Sequence, residues 1–120
     1  MESRKRKILI ADDDPAILEV LTIFLEEMGY EIETTQDGLS LLTFEHGFPD
    51  LLMLDIWMSG VNGRDLCRIL KNQEQTRNIP LLLISANRDM ERIAFDAGAD
   101  DFIAKPFDLD VLLAKIEQWL

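Results

Sequence analysis

Several kinds of residue are scarce in this 120-residue sequence, and each shortage excludes a class of protein. A single cysteine, Cys67, excludes an internal disulfide and is typical of a reducing compartment, so we expect the protein in the cytoplasm. No apolar run approaches the ~18 residues of a membrane span, and no secretory signal is visible. Lysine and arginine number 12 against 23 acidic residues, a net charge of −11, which argues against direct binding of nucleic acid.

The remaining composition fits one globular domain over residues 1–120. Hydrophobic residues make up 48% and charged residues 29%, enough for a real core under a charged surface. Residues 1–6 form a basic lead-in, and the run Arg4-Lys5-Arg6-Lys7 is interpreted as a solvated approach to the first strand.

Strand and helix signals alternate five times along the chain. Asp14 suits an N-cap, Pro15 suits the first helical position, and Gly29 suits the residue that closes the first helix. Five βα units predict an α/β protein with a parallel sheet and helices on both faces. The strands are expected at residues 7–11, 31–35, 50–55, 80–85 and 101–105.

Helical spacing of apolar residues predicts the faces that turn inward. The expected inward residues are Ile17, Leu18, Leu21, Phe24, Leu25 and Met28 in the first helix, Leu41 and Leu42 in the second, Leu66, Ile69 and Leu70 in the third, Met90, Ile93, Ala94 and Ala97 in the fourth, and Leu109, Leu112, Leu113, Ile116 and Leu120 in the last.

Carboxylates follow two of the predicted strands. Asp12 and Asp13 follow the first strand, and Asp55 ends the third. In a sheet of order 2-1-3-4-5, the ligand crevice lies at the carboxyl ends of strands one and three. Like charges 4 Å apart repel by about 4 kcal/mol at an effective dielectric near 20, so these acids need a cation. Mg²⁺, or Mn²⁺, is the natural candidate because hard divalent cations prefer oxygen ligands.

Two further polar residues end strands at the same edge. Ser85 ends strand four and Lys105 ends strand five. A carboxylate in such a site can attack phosphorus and form an aspartyl phosphate. Transfer then depends mainly on position and charge: the metal covers one phosphoryl oxygen, Lys105 can pair with a second, and Ser85 can donate to a third.

These residues resemble the CheY-like receiver domains of two-component response regulators. The motifs that match are Ile10-Ala11-Asp12-Asp13-Asp14, Asp55-Ile56-Trp57-Met58-Ser59-Gly60-Val61-Asn62-Gly63, Ser85-Ala86, Gly98-Ala99-Asp100-Asp101-Phe102 and Lys105-Pro106-Phe107. Together they span residues 8 to 120. The resemblance implies a flavodoxin-like doubly wound (βα)5 fold of order 2-1-3-4-5.

The resemblance also implies a role for each matching residue. Asp55 would be the phosphoacceptor, Asp13 a direct metal ligand and Asp12 a ligand through water. Asp55 and the backbone carbonyl of Trp57 would be further metal ligands. Lys105 would pair with the phosphate, Ser85 would be the switch hydroxyl and Phe102 the switch aromatic. The Lys105-Pro106 bond would be cis. The partner would be a histidine kinase or histidine phosphotransfer protein, and the output partner or effector domain stays open.

Two departures and two alternatives accompany this interpretation. Ser59 stands where proline is usual in the family, and Trp57 is bulkier than the usual residue. One alternative is a haloacid-dehalogenase-like phosphatase or phosphotransferase whose nucleophile is Asp12 in Asp12-x-Asp14. The other is a degenerate receiver that serves only as a binding module.

Four other conspicuous residues receive structural interpretations. His46 is expected to be a solvated polar residue, and Cys67 an inert, partly buried thiol. Asp100 and Asp101 precede strand five, away from the crevice, and suit a surface turn or an interface.

Overall fold

Parallel strands form the central sheet of the protein. The computed structural model describes residues 5–44, 47–58, 60–86 and 88–120, and this part of the chain holds a five-stranded sheet of order 2-1-3-4-5, with its strands numbered along the chain. The predicted order is confirmed, and each strand lies within one residue of its expected bounds. The strands are β1 (Lys7–Ala11), β2 (Glu31–Thr35), β3 (Leu51–Asp55), β4 (Leu81–Ser85) and β5 (Asp101–Ala104).

The two central strands carry the most apolar sequences. Every residue of β3 and β4 is buried, as expected for parallel strands covered on both faces. Ala11 of β1 pairs with Leu54, and Asp55 pairs with Ile84 of β4. The carboxyl ends of β1, β3 and β4 therefore meet at one edge of the sheet.

Four α-helices accompany the strands in the described residues: α1 (Pro15–Glu27), α2 (Gly63–Asn72), α3 (Met90–Ala97) and α4 (Leu109–Trp119). The start of α1 confirms its predicted signals. Asp14 Oδ1 accepts a hydrogen bond from the Ala16 N–H at 3.0 Å, and Pro15 is the first helical residue. Gly29 follows the helix with φ 97°, a left-handed conformation that suits glycine.

The second helix differs from the prediction because it is a short 3₁₀ helix, Gly38–Leu42. Ser40 Oγ donates to the Asp37 carbonyl at 2.7 Å, and such local side-chain bonds compete with α-helical ones. Leu41 is buried, but Leu42 is 41% exposed, so its predicted inward position is wrong. With three residues per turn, adjacent leucines point about 120° apart and cannot both face the core.

Two other predicted inward positions are also wrong. Ile69 is 45% exposed, and Cys67 is buried in its place between Leu66 and Leu70. The buried face of α2 is therefore centred one residue away from the predicted face. Met28 is 46% exposed because it is the C-cap of α1 and lies beyond the last full turn.

The helices cover both faces of the sheet, as predicted. Along β1, Ile8 and Ile10 belong to one apolar cluster, and Leu9 and Ala11 belong to the other. Residues of α1 and α4 pack in the first cluster, and residues of the 3₁₀ helix, α2 and α3 pack in the second. All four predicted inward residues of α3 are buried. Among the described residues, no helix is both long and apolar enough to span a membrane.

Candidate functional site

Three carboxylates converge at the carboxyl edge of the sheet. Asp12 directly follows β1, Asp55 ends β3, and one carboxylate oxygen from each of Asp12, Asp13 and Asp55 lies within 4.8 Å of the others. Asp12 is fully buried, Asp55 is 7% exposed, and Asp13 is exposed. The structure thus brings together the three acids that the sequence pattern placed at this edge.

Lys105 brings a positive charge to these acids. Its Nζ lies 2.9 Å from Asp12 Oδ2 and 3.5 Å from Asp55 Oδ2. The residue follows β5, its backbone N–H donates to the Ser85 carbonyl, and the Lys105-Pro106 bond is cis, as the resemblance implied. Burial alone would lower the pKa of Lys105. The hydrogen bond with Asp12 and the charges of Asp12 and Asp55 have the larger effect, so the pKa is raised overall.

Asp55 is the most perturbed acid of the site. Burial and then the charge of Asp12 raise the pKa of Asp55 to about 6, against the lowering effects of Lys105 and of a hydrogen bond from the Trp57 backbone N–H. Asp55 is therefore mostly ionised at neutral pH, but its charge is unfavourable. A further cation beside it would lower this pKa and relieve the repulsion.

The contacts of Asp12 leave it little freedom to act as a nucleophile. Oδ1 accepts a hydrogen bond from the Asp14 backbone N–H at 2.9 Å, and Oδ2 accepts one from Lys105 at 2.9 Å. Asp14 itself caps α1, which confirms its predicted structural role.

The loop from β3 to α2 approaches Asp55 closely. Trp57–Met58 and Val61–Asn62 form a short antiparallel hairpin, and the Trp57 side chain is 59% exposed. Any Cβ on Gly63 would overlap the Asp55 carbonyl oxygen and lie 2.8 Å from the Ile56 Cα. Residue 63 must therefore be glycine for α2 to begin so close to the acid. The sequence interpretation placed Asn62-Gly63 at a helix start but missed this contact, and Ser59 lies outside the described residues.

The two predicted switch residues lie on neighbouring strands. Ser85 is 2% exposed at the end of β4 and pairs with Ala104, and Phe102 is half-buried in β5 and pairs with Leu83. Ser85 thus follows Ile84, the register partner of Asp55.

Asp100, Asp101 and Cys67 lie away from the acids. Asp100 pairs with Lys71 at 2.8 Å and Asp101 with Lys115 at 2.7 Å, so each has a structural contact of its own. Burial raises the pKa of the Cys67 thiol to about 12, which agrees with an inert thiol. His46 lies outside the described residues. The sequence interpretation missed a contact between Trp119 and Asp101, although the spacing of Lys115 and Trp119 places both on one helix face.

Comparisons with known proteins agree with this geometry. The model of the response regulator receiver domain family matches residues 8–117. The DNA-binding dual master transcriptional regulator RpaA of Synechocystis is 39% identical over 117 residues, which cover 95% of this chain and 48% of that protein. The chain spans about half the length of the first curated relatives it matches.

Solved structures superpose over nearly the whole chain. A putative response regulator from Chloroflexus aurantiacus has a TM-score of 0.88 at 30% identity and covers 97% of this chain and 98% of its own. The response regulator TrrA from Thermotoga maritima, in complex with Mg²⁺ and BeF, has a TM-score of 0.83 at 32% identity, with 96% and 99% covered. Neither comparison supports the haloacid-dehalogenase-like alternative, in which Asp12 would be the nucleophile. The family model matches almost all of the chain, and three acids and a lysine meet at one edge of a sheet of order 2-1-3-4-5. The chain therefore belongs to the receiver domains of two-component response regulators, which are signalling domains that accept a phosphoryl group from a kinase.

Proposed function

We propose that this receiver domain accepts the phosphoryl group on a carboxylate oxygen of Asp55, in a reaction that requires Mg²⁺ or Mn²⁺. One observation carries the proposal: the nearly buried Asp55 carboxylate lies at the end of a central strand, beside Asp12 and 3.5 Å from the Lys105 ammonium. It is the acid at this edge whose position and raised pKa both suit a nucleophile.

The oxygen ligands of the site fit a hard divalent cation. Asp13 would bind the metal directly, Asp12 through water, and Asp55 and the Trp57 backbone carbonyl would complete the protein ligands. The fit rests on three carboxylates with oxygens within 4.8 Å of one another, because added positive charge relieves the repulsion within such a group. When bound, the metal neutralises charge on one phosphoryl oxygen.

The transfer itself requires an ionised and well-placed Asp55. Its pKa of about 6 leaves the carboxylate mostly ionised at neutral pH. An Asp55 oxygen forms a bond to phosphorus while the bond from phosphorus to the imidazole nitrogen of the donor's phosphohistidine breaks. The electron pair of the broken bond stays on the imidazole, which then takes up a proton.

Lys105 and Ser85 would hold the remaining phosphoryl oxygens. The Lys105 ammonium already bridges Asp12 and Asp55, so a small movement of its flexible side chain brings it to a phosphoryl oxygen. Ser85 follows Ile84, the residue of β4 that pairs with Asp55, and its hydroxyl can donate a hydrogen bond to a phosphoryl oxygen. Neither residue transfers a group, and both act through charge and position.

The signal would leave through the surface formed by α3, β5 and α4. Movement of Ser85 toward the phosphoryl group makes room for the Phe102 ring, and the changed surface then binds an output partner or effector domain. Water slowly removes the phosphoryl group and resets the domain, so the protein acts as a switch and not as an enzyme with a turnover substrate. The phosphodonor would be a histidine kinase or histidine phosphotransfer protein. We place the domain in the cytoplasm because its buried free thiol suits a reducing compartment.

Intact-mass spectrometry with acetyl phosphate tests this proposal. Wild-type protein with Mg²⁺ should gain the mass of one phosphoryl group, and EDTA should prevent the gain. Asp55→Asn should stay unmodified. Asp14→Asn is the matched control because asparagine is also a good N-cap and Asp14 serves the helix, so this variant should label like wild type. Full labelling of Asp55→Asn would refute the assignment.

A further inference from the structure

One carboxylate, that of Asp101, joins the end of α4 to β5. We call the side chains around it the Asp101 cluster, which consists of Asp101, Phe102, Lys115 and Trp119. Asp101 Oδ1 accepts hydrogen bonds from Lys115 Nζ at 2.7 Å and from the Phe102 backbone N–H at 2.8 Å. Asp101 Oδ2 accepts one from Trp119 Nε1 at 3.0 Å. Burial alone would raise the pKa of Asp101. These hydrogen bonds have the larger effect, so the pKa is lowered overall.

The Lys115 ammonium has a second partner in this cluster. Its Nζ lies 4.9 Å from the centroid of the Phe102 ring, within the range of a cation–π contact. The carboxylate of Asp101 and the ring of Phe102 therefore share one cation. The side chains of Asp101 and Lys115 are only 16% and 30% exposed, so water screens this charge incompletely.

The cluster crosses the edge of the sheet. Phe102 packs against the apolar cluster that contains α3, whereas Trp119 packs against the opposite cluster, which contains α1 and α4. Since β5 is an outer strand of the sheet, Lys115 reaches around it from α4 to the ring. The position of the ring is thus tied to a helix that lies on the other face.

We propose that Lys115, held by Asp101, restrains Phe102 in its partly buried position and thereby weakens the response of the domain to phosphorylation. The inference rests on the proposed function, in which Phe102 moves when Ser85 approaches the phosphoryl group. A ring that turns inward leaves the ammonium and loses the cation–π contact. For a partly exposed pair, this contact shifts the equilibrium between the two ring positions about two- to five-fold.

The restraint is measurable as the apparent affinity for a phosphoryl analogue. When the binding-competent state is a minor one, apparent affinity scales with its population. We would titrate beryllofluoride at saturating Mg²⁺ and follow the two indole N–H signals by NMR, since Trp57 reports on the site and Trp119 on the cluster. Lys115→Met, which keeps the aliphatic chain, should lower the half-saturating beryllofluoride concentration about two- to five-fold.

Two control variants make the test specific. In a Phe102→Leu background, Lys115→Met should not raise the affinity, because the cation–π contact is already absent and only the ion pair with Asp101 is lost. Arg68→Met removes an exposed ion pair with Asp65 on α2 and should leave the affinity unchanged. An unchanged or weaker affinity in Lys115→Met would overturn the inference, as would an equal gain in the Phe102→Leu background. Absence of beryllofluoride binding in wild type would instead refute the proposed function itself.

Discussion

Asp55→Asn is expected to stabilise the metal-free protein, although it should abolish phosphorylation. The pKa of Asp55 is raised from 3.8 to about 6, first by burial and then by the charge of Asp12. At about 1.36 kcal/mol per pH unit, the ionised form carries a penalty of roughly 3 kcal/mol. The edge of the crevice is open to water, and hydrogen bonds to a neutral amide are weaker, so the net gain is about 1–2 kcal/mol.

The size of this effect depends on pH. A raised pKa means that the folded state binds the proton more tightly than the unfolded state does. The penalty is therefore fully present above about pH 6 and is mostly lost at about pH 4, where Asp55 is protonated in the folded state and close to half protonated in the unfolded state. Asparagine does not titrate, so the difference between the two proteins isolates Asp55 from all other groups.

Urea unfolding in EDTA, followed by circular dichroism, measures this difference. With a slope of about 1–2 kcal/mol/M, the midpoint of Asp55→Asn should rise by roughly 1 M at pH 7.5 and by almost nothing at pH 4. Added Mg²⁺ should stabilise wild type more than the variant, because a ligand that binds only the folded state raises its stability. A lower midpoint for Asp55→Asn at pH 7.5, or an equal rise at both pH values, would refute the electrostatic reasoning.

Three further predictions concern the metal, the phosphate lifetime and assembly. Asp13→Asn should weaken Mg²⁺ binding and slow labelling by acetyl phosphate, and isothermal titration calorimetry that shows wild-type affinity would contradict this. Trp57→Asn should shorten the lifetime of the phosphorylated state about ten-fold, a barrier change of about 1.4 kcal/mol, because an amide can orient the attacking water. An unchanged dephosphorylation time course would favour an interface role for the Trp57 indole, which is 59% exposed. The charge pair that joins such dimers in related regulators is missing here, where Glu91 and Val111 stand in place of an arginine and a glutamate, so beryllofluoride should induce no tight symmetric dimer through the α3, β5 and α4 surface, and light scattering would detect one.

The features that could be predicted from sequence are those that depend on local patterns. Continuous apolar runs predicted β3 and β4, and an acid directly after a strand has to lie at the sheet edge whatever the packing. Asp14 and Pro15 defined the start of α1 because a cap acts within one turn. The convergence of the three acids then followed from the strand order.

The features that could not be predicted depend on competition or on distant contacts. The 3₁₀ helix at Gly38–Leu42 arises where side-chain bonds compete with α-helical ones, and the spacing of two leucines does not reveal that competition. Ile69 and Cys67 are both apolar, so only packing against α3 decides which one is buried. The Trp119 bond to Asp101 joins residues 18 apart and depends on how α4 lies against β5.

The central claim is that Asp55 is the acceptor, and chemical mapping of the phosphorylated residue tests it most directly. Borohydride reduces an acyl phosphate to an alcohol and so converts a phosphorylated aspartate into homoserine, which tandem mass spectrometry of peptides can locate. After treatment with acetyl phosphate and Mg²⁺, homoserine should appear at position 55 and at no other aspartate. Homoserine at position 12, with Asp55 unchanged, would contradict the account and favour the phosphatase-like alternative.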